Sequence, residues 1–139
     1  AVFLDDNSTL QSVEGCASTF NFRAKTIDIF QSKKESARVI FENNDFDGFL
    51  KSNVMEFDFV FIDGNHTYTA TKEYFKILWN KLPEDGLIIL DDIHWSEGMA
   101  RAWVELCEET KPLISIDLFQ FGLCFKKSQQ AKEGFVLSY

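Results

Sequence analysis

Two short segments that are almost wholly apolar constrain the fold of this chain more than any other feature. Residues 57–63 read FDFVFID and residues 87–90 read LIIL. Strands of this kind are covered on both faces, which is typical of a parallel sheet with helices on each side. Between them, residues 67–82 predict a helix with one apolar face. That face consists of Thr71, Tyr74, Phe75, Leu78 and Leu82.

The same alternation of strand and helix extends to both sides of this unit. Leu10 to Glu14 and Arg38 to Glu42 predict two earlier strands, and apolar residues at helical spacing predict a helix over residues 16–31 between them. Ser96 predicts the start of a further helix, because serine caps helix N-termini well. The apolar face of that helix consists of Met99, Ala102, Trp103, Leu106 and Cys107.

The last part of the chain lacks helices. Leu113 to Phe119, Phe121 to Lys126 and Gly134 to Tyr139 predict strands, and the first two leave room only for a tight hairpin. Strands alternating with helices predict an α/β fold. We therefore expect a single domain over residues 1–139, with a mostly parallel sheet that ends in an antiparallel hairpin.

Composition excludes several classes of protein. Hydrophobic residues make up 45% of the 139 residues, so the chain can bury a core. The net charge of -8 argues against a nucleic acid partner, and no apolar run is long enough to span a membrane. Three distant cysteines without a CxxC pair fit a reducing compartment. The chain begins AVFLDD, which is no signal peptide, so we predict a cytoplasmic protein.

Acidic residues end all of the predicted parallel strands. These residues are Glu14, Asp45 after Asn43-Asn44, Asp63, and the pair Asp91-Asp92. In an open parallel sheet, ligands bind beyond the carboxyl ends of the strands, and both histidines of the chain lie at that edge. The alternative interpretation is that Asp and Asn stand there only to cap helices or to form turns.

Three sets of residues at this edge predict chemistry. Glu14-Gly15 suits hydrogen bonding to a ribose diol, although it equally fits an exposed strand end. Asp63 and His66 have D-x-x-H spacing, and a turn at Gly64-Asn65 would bring the imidazole back toward the carboxylate. His66 is then a candidate general base, with a surface-loop histidine as the alternative.

A divalent cation is the third candidate. Asp63, Asp91 and Asp92 end adjacent predicted strands, and converging carboxylates either take up protons or hold a cation. Oxygen ligands select Mg²⁺, Ca²⁺ or Mn²⁺. Against this, one of two neighbouring Asp side chains normally points away.

The segments FDFVFIDGNHTYTATKEYF and LPEDGLIILDDIHWSEGMARAW resemble the fourth and fifth strand regions of class I S-adenosylmethionine (SAM)-dependent methyltransferases. They are most similar to a bacterial O-methyltransferase-like group with F-I-D-G-x-H-x-Y and D-D-I-x-W patterns. The resemblance extends from SVEGCAST to the final hairpin. It implies a Rossmann-like fold, SAM as cofactor, and transfer of a methyl group to an oxygen of a small molecule.

The resemblance also implies roles for individual residues. Glu14 would bind the cofactor ribose, the stretch Asn44, Asp45 and Phe46 would border the adenine, and Asp63 would lie near the methionine part. In metal-dependent members of the group the equivalents of Asp63, Asp91 and Asp92 bind Mg²⁺. Some members place a catalytic histidine at the position of His66.

The chain departs from the family at its beginning. No G-x-G-x-G loop precedes Glu14, and AVFLDD looks like the end of the helix that follows this loop. The expected sheet therefore lacks its first, central strand, and its open edge predicts either a homodimer or a piece of a longer protein. Two other functions stay open: a non-catalytic interaction domain, and an oxidoreductase, which the lack of G-x-G-x-x-G after any strand disfavours.

Overall fold

The computed structural model describes residues 9–14, 38–42, 44–52, 56–110 and 114–137. The chain is grouped into two compact units, Ala1–Asn53 and Val54–Tyr139, and the single domain expected over residues 1–139 stays a prediction. Each unit is therefore described by itself. Gly15 and the helix predicted over residues 16–31 lie outside the described residues.

The first unit contains a two-stranded parallel sheet and a short helix. Strand β1 (Thr9–Val13) pairs with β2 (Arg38–Glu42), which confirms both predicted strands. Helix α1 (Phe46–Ser52) follows and was not predicted. Its first turn is capped by Asp45, whose Oδ1 accepts a hydrogen bond of 2.5 Å from the backbone N–H of Gly48.

The second unit contains a five-stranded sheet with two helices. Its elements are β3 (Phe59–Ile62), α2 (Tyr68–Lys81), β4 (Leu87–Leu90), α3 (Glu97–Glu109), β5 (Ile114–Asp117), β6 (Gly122–Phe125) and β7 (Glu133–Val136). The strand order is β3-β4-β6-β5-β7, and only β6 runs antiparallel to its neighbours. The carboxyl ends of β3, β4, β5 and β7 therefore lie at one edge of the sheet. This arrangement confirms the predicted α/β class with its closing hairpin.

The two helices of this unit bury the faces that their spacing predicts. Every residue of the predicted α2 face is buried, and Phe75 is completely so. On α3, Cys107 alone among the predicted residues is partly exposed. The Ser96 side chain accepts a hydrogen bond of 3.2 Å from the backbone N–H of Met99, as expected of an N-cap. None of the described helices is long and apolar enough to cross a membrane.

A close contact between β6 and α3 fixes the depth at which that helix packs. A Cβ atom added to Gly122 would lie only 2.6 Å from Cζ3 of Trp103, which is buried. The indole ring thus lies directly against the backbone of the sheet. Only glycine leaves room for it at this position.

A charged network joins the outer faces of α2 and α3. Lys72 Nζ lies 2.5 Å from Glu105 Oε2 and 2.9 Å from Glu109 Oε1, and Tyr68 donates its hydroxyl proton to the same Glu105 oxygen. The hydrogen bonds to Glu105 and then Glu109 raise the pKa of Lys72 above its ordinary value. The network therefore links helix α2 to helix α3.

Candidate active site

The loop after β3 turns back on itself and brings His66 toward Asp63. Asn65 has a φ of 46°, in the left-handed region that asparagine tolerates better than most residues. The N–H of Thr67 donates to the carbonyl of Asn65 over 2.6 Å and closes the turn. As a result His66 Nε2 lies 3.5 Å from Asp63 Oδ1. The turn predicted at Gly64-Asn65 is therefore present.

The loop after β4 brings a second carboxylate to the same imidazole. The N–H of Asp91 donates to the carbonyl of Ile62 over 3.0 Å, which continues the pairing of β3 with β4. Asp92 has a left-handed φ of 53°, and its Oδ2 lies 3.9 Å from His66 Nε2. His66 thus lies between Asp63 and Asp92, with 27% of its side chain exposed. Flanking carboxylates stabilise the charge that an imidazole acquires when it takes a proton.

Asp91 shows how much negative charge this edge concentrates. Burial raises the pKa of Asp91, and the charges of Asp92 and Asp63 raise it further. The backbone N–H of Asp92, which donates to Asp91 Oδ1 over 2.9 Å, and the charge of His66 act in the opposite direction. The net effect is a raised pKa, as expected of carboxylates crowded at one sheet edge.

A third strand end contributes Asp117, which the sequence analysis missed. Its side chain is 12% exposed and accepts from three donors. Its Oδ1 accepts from the N–H of Phe119 over 2.8 Å, and its Oδ2 lies 2.9 Å from His94 Nε2 and 3.1 Å from Trp103 Nε1. Burial raises the pKa of Asp117, but these hydrogen bonds outweigh it and lower the pKa overall. The strand-end signal that identified Asp63 did not apply to Asp117, because the predicted strand ran on to Phe119 whereas β5 ends at Asp117.

The remaining predicted residues belong to the other unit. Glu14 directly follows β1 and is partly exposed, while Asn44, Asp45 and Phe46 stand at the start of α1. The carboxylate of Asp45 caps that helix, so the capping interpretation holds there. Among the described residues, the structure thus assembles Asp63, His66, Asp91 and Asp92 in one place and leaves the nucleoside-binding predictions on separate elements.

The predicted metal set is not supported by this geometry. Within the described ranges, no three His, Cys, Asp or Glu side chains are arranged so that they could hold a metal ion. Asp91 Oδ1 accepts a hydrogen bond from the backbone N–H of Asp92, and Asp63 and Asp92 both face His66 Nε2. The donor set therefore does not fit the Mg²⁺ that the resemblance implies.

Comparison with known proteins gives one family and a group of similar folds. A sequence model described as a methyltransferase domain matches residues 2–93. No curated protein sequence matches the chain. The SAH-bound methyltransferase PaMTH1 of Podospora anserina is 14% identical, with a TM-score of 0.66 over 84% of this chain and 60% of that one.

Two O-methyltransferase structures are similar to the same degree. The Bacillus cereus enzyme in complex with SAH is 16% identical, with a TM-score of 0.61 over 84% of this chain and 62% of that one. TomG of Streptomyces achromogenes in complex with SAM is 15% identical, with a TM-score of 0.63 over 86% and 62%. The chain spans about three-fifths of the length of these structures, and identity this low shows the fold alone. Because the family model matches most of the sequence, the chain belongs to the methyltransferase domain family.

Proposed function

We propose that this chain acts as a SAM-dependent methyltransferase that moves a methyl group to an oxygen atom of a small molecule. One observation carries the proposal: His66 lies between Asp63 and Asp92, at the carboxyl edge of the parallel strands β3 and β4. Ligands of open α/β sheets bind at that edge. Membership of the methyltransferase domain family supports the same function.

The charge of the site fits the cofactor. SAM carries a positive sulfonium group and a positive amino group, and at this edge it would meet the carboxylates of Asp63, Asp91 and Asp92. A cleft lined by one sign of charge attracts a ligand of the opposite sign. Glu14 would accept hydrogen bonds from the ribose hydroxyls, because it directly follows a strand of a parallel pair. Gly15, Asn44, Asp45 and Phe46 would border the rest of the nucleoside.

The proposed chemistry needs a proton acceptor and correct alignment. When bound, the cofactor supplies an electrophilic methyl group on sulfur. The imidazole of His66 would take the proton of the acceptor hydroxyl, and Asp63 and Asp92, which face its Nε2, would stabilise the imidazolium that forms. Holding oxygen, carbon and sulfur in line supplies much of the remaining rate. Because the described carboxylates do not form a metal site, we assign no step to a divalent ion.

Calorimetry and label transfer test this proposal. SAM and SAH are titrated into the protein, and methyl-labelled SAM is then incubated with a panel of phenols, sugar alcohols and hydroxy acids. His66→Gln should lower kcat by about a hundredfold or more and leave SAH affinity almost unchanged, since a general base contributes ~10²–10⁴. Asp85→Asn is the matched control, because Asp85 precedes β4 and pairs with Lys127 at the opposite edge.

The outcomes separate the proposal from its alternative. Binding of SAH together with label transfer that depends on His66 supports the enzyme. A protein that folds but binds neither SAM nor SAH would instead be a non-catalytic interaction domain. Full activity in His66→Gln would remove the histidine from the mechanism while leaving the methyltransferase in place.

We propose that a second copy of this chain pairs with the edge of β3 to form a homodimer. Strand β3 ends the described five-stranded sheet and pairs there with β4 alone. Its Phe59 and Phe61 are 54% and 48% exposed. Unpaired strand edges favour pairing with another chain. Sedimentation that shows only a monomer at micromolar concentration would contradict the dimer.

A further inference from the structure

We propose that Asp117 is a positioning residue of the candidate active site. It would hold the acid loop, defined as residues 91–96 after β4, in the conformation that keeps Asp92 beside His66. The inference rests on the proposed function, because it concerns the geometry around the proposed general base. Asp117 itself touches neither His66 nor Asp92 in the structure's hydrogen bonds and ion pairs, so its effect must pass through the loop.

The acid loop is fastened to the turn between β5 and β6 at two neighbouring residues. The N–H of Ile93 donates to the carbonyl of Gln120 over 3.2 Å. The next residue, His94, places its Nε2 2.9 Å from Asp117 Oδ2. Because a carboxylate only accepts hydrogen bonds, His94 Nε2 must carry a proton to form this bond. Asp117 is therefore the side-chain anchor of this loop.

The same carboxylate also anchors both structures that flank the loop. Its Oδ2 accepts from Trp103 Nε1 of helix α3, which follows the acid loop in the chain. Its Oδ1 accepts from the N–H of Phe119 in the turn, and the Phe119 ring stacks on the His94 ring with centroids 5.4 Å apart. Loop, helix and turn thus share one nearly buried acceptor. Loss of that acceptor would release all three together.

Backbone strain at two positions indicates that the contacts of the acid loop serve the candidate active site. Asp92 and Phe119 have φ values of 53° and 68°, and the left-handed region is costly for an aromatic residue such as phenylalanine. Strained residues of this kind persist only where their surroundings hold them, and they cluster at functional sites. Asp92 carries the carboxylate 3.9 Å from His66. Without its anchor the loop is free to relax, and that carboxylate then moves away from the imidazole.

Nuclear magnetic resonance of the imidazole nitrogens tests the inference directly, because the chain has only two histidines. The wild-type protein should show His94 protonated at Nε2. Asp117→Asn, which loses the negative charge and one of the two acceptor oxygens, should weaken that pattern and also shift the ring signals of His66, which Asp117 does not contact. His94→Gln keeps the buried carboxylate and should shift His66 as well, so it decides the question if Asp117→Asn does not fold. Asp85→Asn should leave both rings unchanged.

Kinetics provide the second readout. With an acceptor from the panel, Asp117→Asn and His94→Gln should lower kcat by about ten- to a hundredfold, because small misplacements of a catalytic group are costly, while SAH affinity changes little. Unchanged His66 signals in a folded variant would overturn the inference. If the wild-type protein transfers no methyl group at all, the proposed function fails, whereas the resonance experiment still decides whether Asp117 positions the loop.

Discussion

Adding a methyl group to Gly122 would test the packing that joins the sheet to the candidate site. The new Cβ atom would lie 2.6 Å from Cζ3 and 2.8 Å from Cε3 of Trp103, closer than carbon atoms approach. Trp103 is 5% exposed, so its ring has little room to move. Any movement also lengthens the 3.1 Å hydrogen bond from its Nε1 to Asp117. Gly122→Ala should therefore disturb both the core and the anchor of the acid loop.

The expected cost follows from these two contacts. Overpacking a core by a methyl group costs about 1–3 kcal/mol. Losing a hydrogen bond to a buried charged group costs about 1–3 kcal/mol more. We expect a loss of about 3–4 kcal/mol in the free energy of unfolding, a large share of the ~5–15 kcal/mol of a typical domain. Gly98→Ala is the matched control, because its Cβ would lie 3.6 Å from the nearest atom, on Tyr68, and alanine favours a helix by about 0.5–1 kcal/mol.

Urea unfolding followed by tryptophan fluorescence measures both variants. All three tryptophans lie in the unit Val54–Tyr139, so the signal reports on this unit. Combining Gly122→Ala with Trp103→Leu should recover part of the loss, with a coupling energy above about 1 kcal/mol. A Gly122→Ala protein within about 0.5 kcal/mol of wild type, or strictly additive effects in the double variant, would refute the packing argument.

Four further predictions concern a helix cap, two carboxylates and metal binding. Ser96→Ala should lower the free energy of unfolding by about 1 kcal/mol in urea, because the N–H of Met99 loses its cap. Burial raises the folded-state pKa of Asp91, so the charged carboxylate lowers the free energy of unfolding at neutral pH. Asp91→Asn should therefore raise the urea midpoint at pH 7 and not at acid pH. The folded-state pKa of Asp117 is lowered, so its carboxylate stabilises the fold at pH values above the ordinary Asp pKa of about 4. This stabilisation is lost as the pH falls through the lowered pKa, and Asp117→Asn should remove that dependence of the urea midpoint on acid pH. Chelation of divalent ions should leave SAH affinity unchanged in calorimetry, and a large gain on adding Mg²⁺ would restore the metal hypothesis.

Local patterns were sufficient for most of the secondary structure. The bounds of β2 and β4 match their predictions, and α2 lies within its predicted range, because apolar periodicity and continuous apolar runs are visible within a few turns of chain. Helix α1 was missed because it is only 7 residues long and contains Gly48, so periodicity is hardly measurable there. Asp45, which caps this helix, also carries a predicted contact with the cofactor, and that contact stays a prediction.

The candidate site could be predicted in part. Only Gly64 and Asn65 stand between Asp63 and His66 in the sequence. Their proximity therefore depends on a local turn, and the residue types that favour this turn are visible in the sequence. The arrangement of Asp91 and Asp92 depends on the left-handed backbone of Asp92, which no residue pattern indicates. The predicted metal site at Asp63, Asp91 and Asp92 finds no support among the described residues.

By itself, the sequence determined the parallel α/β class and the edge of the sheet at which acidic residues gather, because strands that run in one direction end on one side. Tertiary structure alone decided that β6 inserts between β4 and β5. This insertion makes β5 parallel to β4 and brings Asp117 to the edge that carries His66 and His94. Strand pairings of this kind join segments that are far apart in the chain. Packing and buried hydrogen bonds select them, and these interactions produce no periodic pattern in the sequence.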